Sequence, residues 1–462
     1  MIRVESHADN EELPHQASSE LSSWRPALMS SPAGPQDRGA SVRTEAIAGV
    51  TTFFTMAYIV VVNPSILATE GTKLPFSGVL AATVAVCFLM TLLMGLYARL
   101  PFAVAPGMGI NAFFTYTIIL GRKVPWPVAL GIVFWAGVLF LLVSATPVRE
   151  TIARNIPPGL RTATAAGIGI FLTFIGLKNA GFIVPDPVTF VKLGQLDHRA
   201  ALTLLGVGVT VWLMNRNSSL AYLAGIFSVT VVAAVAGLVP VPPSLVSAPD
   251  FTSVFFRLDI WGALKLSLLP SIIAVLFTDL FDSLSTFLGV AQATGLLDGD
   301  GHPRNLREGL IVDSLATLGA GLAGTSSGTA YIESAAGITM GGRTGLTSVF
   351  TALCFLPCFF LAPLAGMVPP YAAAAVLILV GASMFRTVAS LPFSRMEETL
   401  PAFLTIILIP LTFSITQGIL WGFISHVGLF LIAGRRKEIH PAMYALAVVA
   451  LGLLALEHGR WP

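Results

Sequence analysis

The sequence predicts an all-α polytopic membrane protein with 14 transmembrane segments in two inverted 7-segment repeats. First, 55% of its 462 residues are hydrophobic and only 11% are charged, whereas soluble domains carry about 25% charged residues. Second, apolar runs of roughly 15–22 residues, long enough to cross a bilayer, recur along the chain. Third, each half contains an odd number of these runs, which places two equivalent halves in opposite orientations.

The apolar runs are separated by charged residues or by Pro and Gly. In the first half they cover 44–66, 77–98, 105–120, 126–146, 162–177, 200–215 and 219–238. In the second half they cover 264–290, 308–322, 326–340, 346–366, 371–385, 398–414 and 417–433. A further apolar stretch, 442–456, follows a cluster of three basic residues, and its pattern allows either a membrane crossing or a position on the membrane surface.

The distribution of Lys and Arg predicts the orientation in the membrane. If the amino-terminal end is cytoplasmic, 14 basic side chains fall on the cytoplasmic side and 8 on the other. Because basic loops stay inside, we expect both ends of the 14-segment unit to be cytoplasmic in a multi-pass protein of the cell (inner or plasma) membrane. The formal net charge of +2 gives no support to nucleic acid as a partner.

The third and tenth segments are interrupted. Residues 105–109 (APGMG) and 324–329 (GTSSGT) begin these segments, and Pro and Gly disfavour helix interiors by about 3 and 1 kcal/mol. Irregular backbone at membrane depth is tolerated only when it is buried in protein or lines a cavity. We therefore predict that each segment starts as a short extended stretch and continues as a short helix, beside a binding site.

Three carboxylates in the apolar segments are candidates for a binding site. Asp279 and Asp282 are in the middle of 264–290, and Glu333 is in the interrupted tenth segment. An Asp inside the membrane costs roughly 2.5–3.5 kcal/mol, so it needs a partner, a proton or a ligand. Residues three apart share a helix face, and two like charges there favour retention of a proton. The pattern indicates a polar binding site in the membrane, which is typical of a transporter.

Several interpretations of these residues stay open. The carboxylates can instead cap or pair with neighbouring helices, and Asn111, which aligns with Glu333 in the third segment, can be only an interhelical hydrogen-bond group. A site with carboxylates and no Lys or Arg favours protons, cations or a neutral molecule with N–H donors. A planar heterocycle would fit it, with flanking aromatic residues such as Phe53, Phe113 or Tyr331.

Two other functions are alternatives. An anion carrier would need a cationic or carboxylate-free site, which this sequence lacks. An intramembrane aspartyl hydrolase would need two Asp residues about 3 Å apart on separate helices, whereas Asp279 and Asp282 lie on one. The cysteines Cys87, Cys354 and Cys358 all lie in apolar segments and are expected to be packing residues.

Four motifs in order resemble the azaguanine-type adenine/guanine/hypoxanthine permeases, a branch of the nucleobase–cation symporter-2 (xanthine/uracil permease) family. They are EAIAGVTTFFTMAYIVVVNP at 45–64, APGMGINAF at 105–113, DLFD at 279–282 and GTSSGTAYIES at 324–334. The likeness extends over residues 43–433. One departure is Ser285, which stands where a Gly is expected after the acidic pair.

The resemblance implies a secondary active transporter, not an enzyme, that takes up adenine, guanine or hypoxanthine together with protons, with Na⁺ as the alternative ion. It implies no cofactor or metal, and a homodimer in the lipid bilayer. It assigns substrate binding to Asp279, Glu333, Asn111, Asp282, Tyr331 and Ile332, and proton coupling to Asp282, Asp279 and Glu333.

The resemblance also implies a division into a core domain that slides against a gate domain, as in an elevator. The core domain comprises 43–147 (segments 1–4) and 262–367 (segments 8–11), and the gate domain comprises 148–240 (segments 5–7) and 368–434 (segments 12–14). Residues 1–42, rich in Ser and Pro, are expected to form a disordered cytoplasmic tail. Residues 435–462 are expected to form a cytoplasmic or membrane-surface tail.

Overall fold

A computed structural model describes residues 41–146, 157–297, 303–391 and 394–458. The predicted disordered tail, 1–42, lies outside the described residues except for its last two. Ser41 caps the first helix, since its hydroxyl accepts a hydrogen bond from the backbone N–H of Thr44 at 3.1 Å. The rest of the described chain is mostly helical, as the sequence predicts.

The first half contains eight described helices and three strands. The helices are α1 (Val42–Met56), α2 (Ile59–Leu67), α3 (Phe76–Leu93), α4 (Met108–Ala112), α5 (Trp126–Ala145), α6 (Pro158–Asn179), α7 (His198–Met214) and α8 (Ala221–Val235). π-Helical turns extend α3 through Met94–Ala98 and α4 through Phe113–Gly121. The strands are β1 (Val104–Pro106), β2 (Ile183–Asp186) and β3 (Phe190–Leu193).

The second half contains nine described helices and one strand. After the 3₁₀ turns Gly262–Leu264 and Leu266–Leu268 come α9 (Leu269–Thr294), α10 (Leu306–Ala323), β4 (Gly328–Ala330), α11 (Ser334–Thr339), α12 (Gly345–Phe355), α13 (Ala362–Gly366), α14 (Pro370–Phe385), α15 (Met396–Thr412), α16 (Ile415–Ile432) and α17 (Pro441–His458). Further 3₁₀ turns cover Leu356–Phe360, Arg386–Ser390 and Arg436–Glu438.

Many of the helices are suited to a membrane. Within the described residues, 7 helical stretches are long and apolar enough to cross a bilayer: Val42–Leu67, Phe76–Ala98, Trp126–Ala145, Pro158–Asn179, Leu266–Ala291, Pro370–Ser390 and Ile415–Ile432. Further apolar helices are shorter, and one of them, Met108–Gly121, follows an interruption described below. The total of 14 crossings therefore stays a prediction.

Glycines allow the helices to approach closely. A Cβ atom at Gly381 of α14 would lie 2.4 Å from the carbonyl oxygen of Gly169 in α6, and a Cβ atom at Gly345 would lie 2.0 Å from that of Gly95. Neither position can accept a side chain without a shift of backbone. Small residues at helix crossings are a common means of association in membranes, where van der Waals packing replaces the hydrophobic effect.

The two interrupted segments pair with each other. Strands β1 and β4 are antiparallel, with Val104 opposite Ala330 and Pro106 opposite Gly328, and every residue of both is buried. Strand β1 leads into α4 and strand β4 leads into α11. The predicted short extended stretches in segments 3 and 10 are thus confirmed. Their pairing satisfies backbone groups that would otherwise be unbonded at membrane depth.

A second two-stranded sheet, between α6 and α7, was not predicted from the sequence. Strands β2 and β3 form an exposed hairpin whose turn is held by Asp186. The backbone N–H groups of Thr189 and Val188 donate to its carboxylate, and Lys192 Nζ lies 2.9 Å from it. These contacts lower the pKa of Asp186 to about 2, so its charge and the turn persist at physiological pH.

A buried carboxylate joins the start of α1 to the start of α12. Glu45 is fully buried and accepts hydrogen bonds from the backbone N–H groups of Arg343, Thr344 and Thr347 at 3.1–3.2 Å. The hydroxyl of Thr347 also donates to it. Glu45 therefore satisfies N–H groups at the amino terminus of α12 that have no partner within the helix.

Replacing Glu45 should test this connection. Glu45→Ala leaves several buried N–H groups without an acceptor, which we expect to lower the free energy of unfolding by about 1–3 kcal/mol. Thermal unfolding of the purified protein in detergent should show a lower Tm. Glu70→Ala, which removes an exposed carboxylate, is the matched control and should leave the Tm unchanged. Equal Tm values for both variants would contradict this role of Glu45.

Candidate functional site

Four acidic residues lie where the two interrupted segments meet α9 and α10. Asp279 and Asp282 are on α9, Asp313 is on α10, and Glu333 immediately precedes α11. Asp279 and Asp313 are fully buried, while Asp282 and Glu333 are half-buried. We call these four residues the carboxylate site. The structure thus brings together the three carboxylates that were predicted from the sequence and adds a fourth.

The Asp279 carboxylate contacts the loop before β4. Its Oδ2 atom accepts a hydrogen bond from Ser327 Oγ at 2.6 Å and another from Thr317 Oγ1. Its Oδ1 atom is buried and has no partner among the described residues. Leaving a buried acceptor unsatisfied costs about 1–3 kcal/mol, more for a charged group. This oxygen is therefore suited to a proton or to a donor on a bound molecule.

Asp313 was missed by the sequence analysis. Its carboxylate accepts a hydrogen bond from the backbone N–H of Ala330 at 2.6 Å and another from the Ser283 hydroxyl. It therefore ties α10 to β4 and to α9. The signal was present, since Asp313 is a carboxylate in the interior of the apolar run 308–322, as Asp279 is in its own run.

Asp282 differs from its two buried neighbours. No hydrogen bond to its carboxylate comes from the part of the chain that the structure describes, and its charge lies close enough to Glu333 for the two to repel. The alternative of a salt bridge to a neighbouring helix is thus not found for Asp282 among those residues. Contact between Asp282 and a substrate stays a prediction.

Glu333 is held by a tyrosine at the break between α1 and α2. The Tyr58 hydroxyl donates to Glu333 Oε1 at 2.6 Å, and the Tyr58 ring lies 5.0 Å from the ring of Tyr222 on α8. The Glu333 side chain does not cap α11, although the residue stands at the start of that helix. Sequence analysis gave no role to Tyr58, because a Tyr in an apolar run has no distinguishing pattern.

Asn111 lies beside a second amide. Its Nδ2 donates to Asn63 Oδ1 at 3.1 Å, while Asn63 Nδ2 donates to the hydroxyls of Thr83 and Thr325 at 2.7 and 2.8 Å. Both amides are fully buried, and Asn111 Oδ1 has no partner among the described residues. The network links segments 1, 2, 3 and 10 and leaves one acceptor oxygen available.

The other two predicted site residues are placed differently. The Tyr331 hydroxyl donates to the carbonyl oxygen of Pro106 at 2.5 Å, so its side chain connects the two interrupted segments. Ile332 lies in the turn before α11 and is 62% exposed. A contact between either side chain and a substrate stays a prediction.

Comparison with known proteins identifies the family. The Xan_ur_permease model, described as the permease family, matches residues 43–420. The chain belongs to this family. It is 40% identical over 415 residues to the adenine permease AdeP of Escherichia coli (strain K12), covering 90% of this chain and 93% of AdeP. It is 39% identical over 425 residues to the guanine/hypoxanthine permease PbuG of Bacillus subtilis (strain 168), covering 89% and 96%.

Membership of this family confirms several predictions. The protein is a multi-pass membrane permease, as the resemblance implied, and not an enzyme. The alternative of an intramembrane aspartyl hydrolase is therefore wrong. Asp279 and Asp282 also lie on the same helix, α9, rather than facing each other from two.

Solved structures confirm the fold class. The transmembrane domain of a cyanobacterial bicarbonate transporter, BicA, matches with a TM-score of 0.61 at 18% identity, covering 82% of this chain and 97% of that domain. SLC26A9 matches with a TM-score of 0.59 at 9% identity, covering 94% and 73%. The inverted-repeat fold is thus shared with these transporters. At such identities the likeness concerns the fold alone.

The contacts predict different structural roles for two carboxylates. Asp313→Ala removes the acceptor for a buried backbone N–H, so we expect the free energy of unfolding to fall by about 1–3 kcal/mol. Asp282→Ala removes a half-buried charge without a hydrogen-bond partner and should leave stability unchanged or raise it. Thermal unfolding of both variants in detergent checks this. A larger loss for Asp282→Ala than for Asp313→Ala would contradict the assignment.

Proposed function

We propose that the protein imports purine nucleobases together with protons. The observation that carries this proposal is the carboxylate site, together with two buried acceptor oxygens, Asp279 Oδ1 and Asn111 Oδ1, that have no partner among the described residues. The names of its relatives, an adenine permease and a guanine/hypoxanthine permease, support the substrate class. Membership of the permease family supports transport as the activity.

Purine bases complement the groups of this site. Their ring N–H groups and exocyclic amino groups are donors, and the site consists mainly of acceptors. We propose that Asp282, Glu333 and Asn111 accept these hydrogen bonds, with Asp279, Tyr331 and Ile332 as further contacts. Planar bases without a negative charge would enter such a site more readily than anions, because a buried carboxylate strongly disfavours a like charge. An anion carrier is therefore the weaker hypothesis, although BicA shares the fold.

A bound proton would reduce the uncompensated negative charge of the site. No Lys or Arg lies mid-segment to neutralise these carboxylates, and moving an uncompensated charge through the membrane is costly. We propose that a proton on the cluster formed by Asp279, Asp282 and Glu333 accompanies the base. Na⁺ could neutralise the same charge, so the ion must be decided by experiment.

We also propose an elevator mechanism between the core and gate domains. All four carboxylates, Asn111 and Tyr58 lie within the predicted core ranges, 43–147 and 262–367. Tyr222, on the predicted gate domain, contacts the Tyr58 ring without bonding to a carboxylate. A site carried by one domain can move as a unit against the other. The homodimer stays a prediction from the resemblance.

Uptake measurements test the substrate and the ion together. Radiolabelled adenine, guanine and hypoxanthine are offered at pH 6 and pH 8 to cells that lack purine importers. We expect greater uptake at pH 6, because a higher proton concentration favours loading of the carboxylate cluster. Glu333→Gln should abolish accumulation, whereas Glu70→Gln, which changes an exposed carboxylate, should behave as wild type.

The outcomes separate the parts of the proposal. No uptake of any purine, with the protein shown to reach the membrane, would overturn the substrate class. Uptake that depends on Na⁺ and not on pH would overturn proton coupling while keeping the substrate. Normal accumulation by Glu333→Gln would remove Glu333 from the site.

Tyr58 offers a further test of Glu333. Tyr58→Phe removes only the hydroxyl that donates to Glu333, and a hydrogen bond to a charged group contributes about 1.5–3 kcal/mol. We expect a decrease of at least roughly 10-fold in purine uptake at low substrate concentration. Tyr222→Phe keeps the ring pair and removes a hydroxyl that bonds to Ser383 instead, so its effect should be smaller. Equal uptake by Tyr58→Phe and wild type would contradict this role.

A further inference from the structure

The last helix, α17, is apolar on every side. Its buried residues recur every three or four positions and form one stripe: Met443, Ala447, Ala450, Leu453 and Leu454. On other sides, Val448 and Leu451 are 68% and 54% exposed. A helix lying on the membrane surface presents a charged or polar face to water. A helix that is apolar all round is surrounded by protein and lipid.

The position of α17 depends on which face of the membrane each helix end occupies. We call the face at which α1 begins the near face. Glu45 in α1 bonds to the backbone of Arg343, before α12, and the Arg343 guanidinium donates to the carbonyl oxygen of Thr294 at 2.8 Å. Helix α9, which ends at Thr294, therefore ends at the near face. It must begin at the opposite, far face.

Contacts of the loop between α8 and α9 also place the start of α9 at the far face. Ser77, at the start of α3, donates to Asp250 at 3.0 Å. The backbone N–H of Phe256 donates to the carbonyl oxygen of Leu322, at the end of α10, at 2.8 Å. Helix α10 follows directly after the near-face end of α9 and therefore ends at the far face. The turn Leu266–Leu268, which follows this loop, lies at the far face as well.

Helix α16 ends at the near face. Lys178, at the end of α6, lies 5.3 Å from the centre of the Tyr116 ring in the far half of the third segment, so α6 begins at the near face. The start of α6, the start of α15 and Glu438 line one cavity of about 590 Å³. Arg435, just after α16, pairs with Glu397 of α15 at 3.1 Å. Helix α17 therefore begins at the near face.

We infer that α17 crosses the whole membrane, so that residue 458 lies on the opposite side from residue 41. Starting at the near face, α17 packs along α16 and α9 and also contacts the far-face turn Leu266–Leu268. Its 18 residues span about 27 Å, close to the roughly 30 Å of a bilayer core. From the sequence, residues 435–462 were expected to form a cytoplasmic or membrane-surface tail. We propose instead that the part of this range in α17 spans the membrane.

The crossing gives α17 a position at the border of the two proposed domains. It contacts α9, which carries Asp279 and Asp282, and α16, which belongs to the predicted gate domain. On the side where α17 packs, it therefore lies between lipid and the contact that α9 makes with α16. This consequence rests on the proposed division into core and gate domains, whereas the crossing itself does not.

Cysteine labelling in intact cells tests the crossing. Cys87, Cys354 and Cys358 are first replaced by Ala, and single cysteines are introduced by Lys437→Cys, by Val188→Cys or after Pro462. Lys437 and Val188 are exposed and lie before α17 and in the hairpin after α6, on the near and far sides respectively. The probe is a membrane-impermeant maleimide, applied before and after permeabilisation.

We expect the cysteine after Pro462 to label under the same conditions as Val188→Cys, and under the opposite conditions to Lys437→Cys. This holds whichever way the protein is oriented. Labelling that follows Lys437→Cys instead would overturn the inference. A second measurement uses Val448→Cys and Leu451→Cys, which should resist the maleimide even after permeabilisation if lipid surrounds them. Rapid labelling of both would indicate a surface helix. Neither result depends on purine uptake, so a failure here leaves the proposed function untouched.

Discussion

The structure depends on the hydrogen bonding of extended backbone inside the membrane. Strands β1 and β4 come from opposite halves of the chain, and each supplies the backbone partners that the other requires. Neither interrupted segment could stay at membrane depth alone. Their pairing fixes where α4 and α11 begin, and therefore where Asn111 and Glu333 lie. The four carboxylates come from the second half, whereas the first half supplies Asn111 and the Tyr58 hydroxyl that bonds to Glu333.

Hydroxyl and backbone donors, rather than cations, hold the carboxylates. Asp279 is bound by Ser327 and Thr317, Asp313 by Ser283 and the Ala330 N–H, and Glu333 by Tyr58. Neutral donors orient a carboxylate without cancelling its charge. The site can therefore still bind a positive charge or N–H donors. A salt bridge to Lys or Arg would have neutralised it. This links the local geometry to the proposed proton-coupled transport of a substrate with several N–H donors.

The carboxylates of the site differ in how many hydrogen bonds they accept. Asp313 is fully committed to holding α9, α10 and β4 together, whereas Asp282 has no hydrogen-bond partner among the described residues. Asp279 lies between these extremes, with one oxygen bound and the other unpartnered. Residues of one type, two of them only three positions apart on α9, thus have different hydrogen-bond partners, because their neighbours come from different parts of the chain.

The sequence by itself determined the membrane class, the interrupted segments and three of the four carboxylates, because apolar runs, helix-breaking residues and charges inside those runs are local features. Family motifs added the substrate class as an expectation. Only the tertiary structure decided that Asp313 and Tyr58 join the site, that Tyr331 connects two segments, and that α17 lies against α9 and α16. The bonds of Tyr58 to Glu333 and of Tyr331 to Pro106 join residues 275 and 225 positions apart, and no local pattern encodes such a contact.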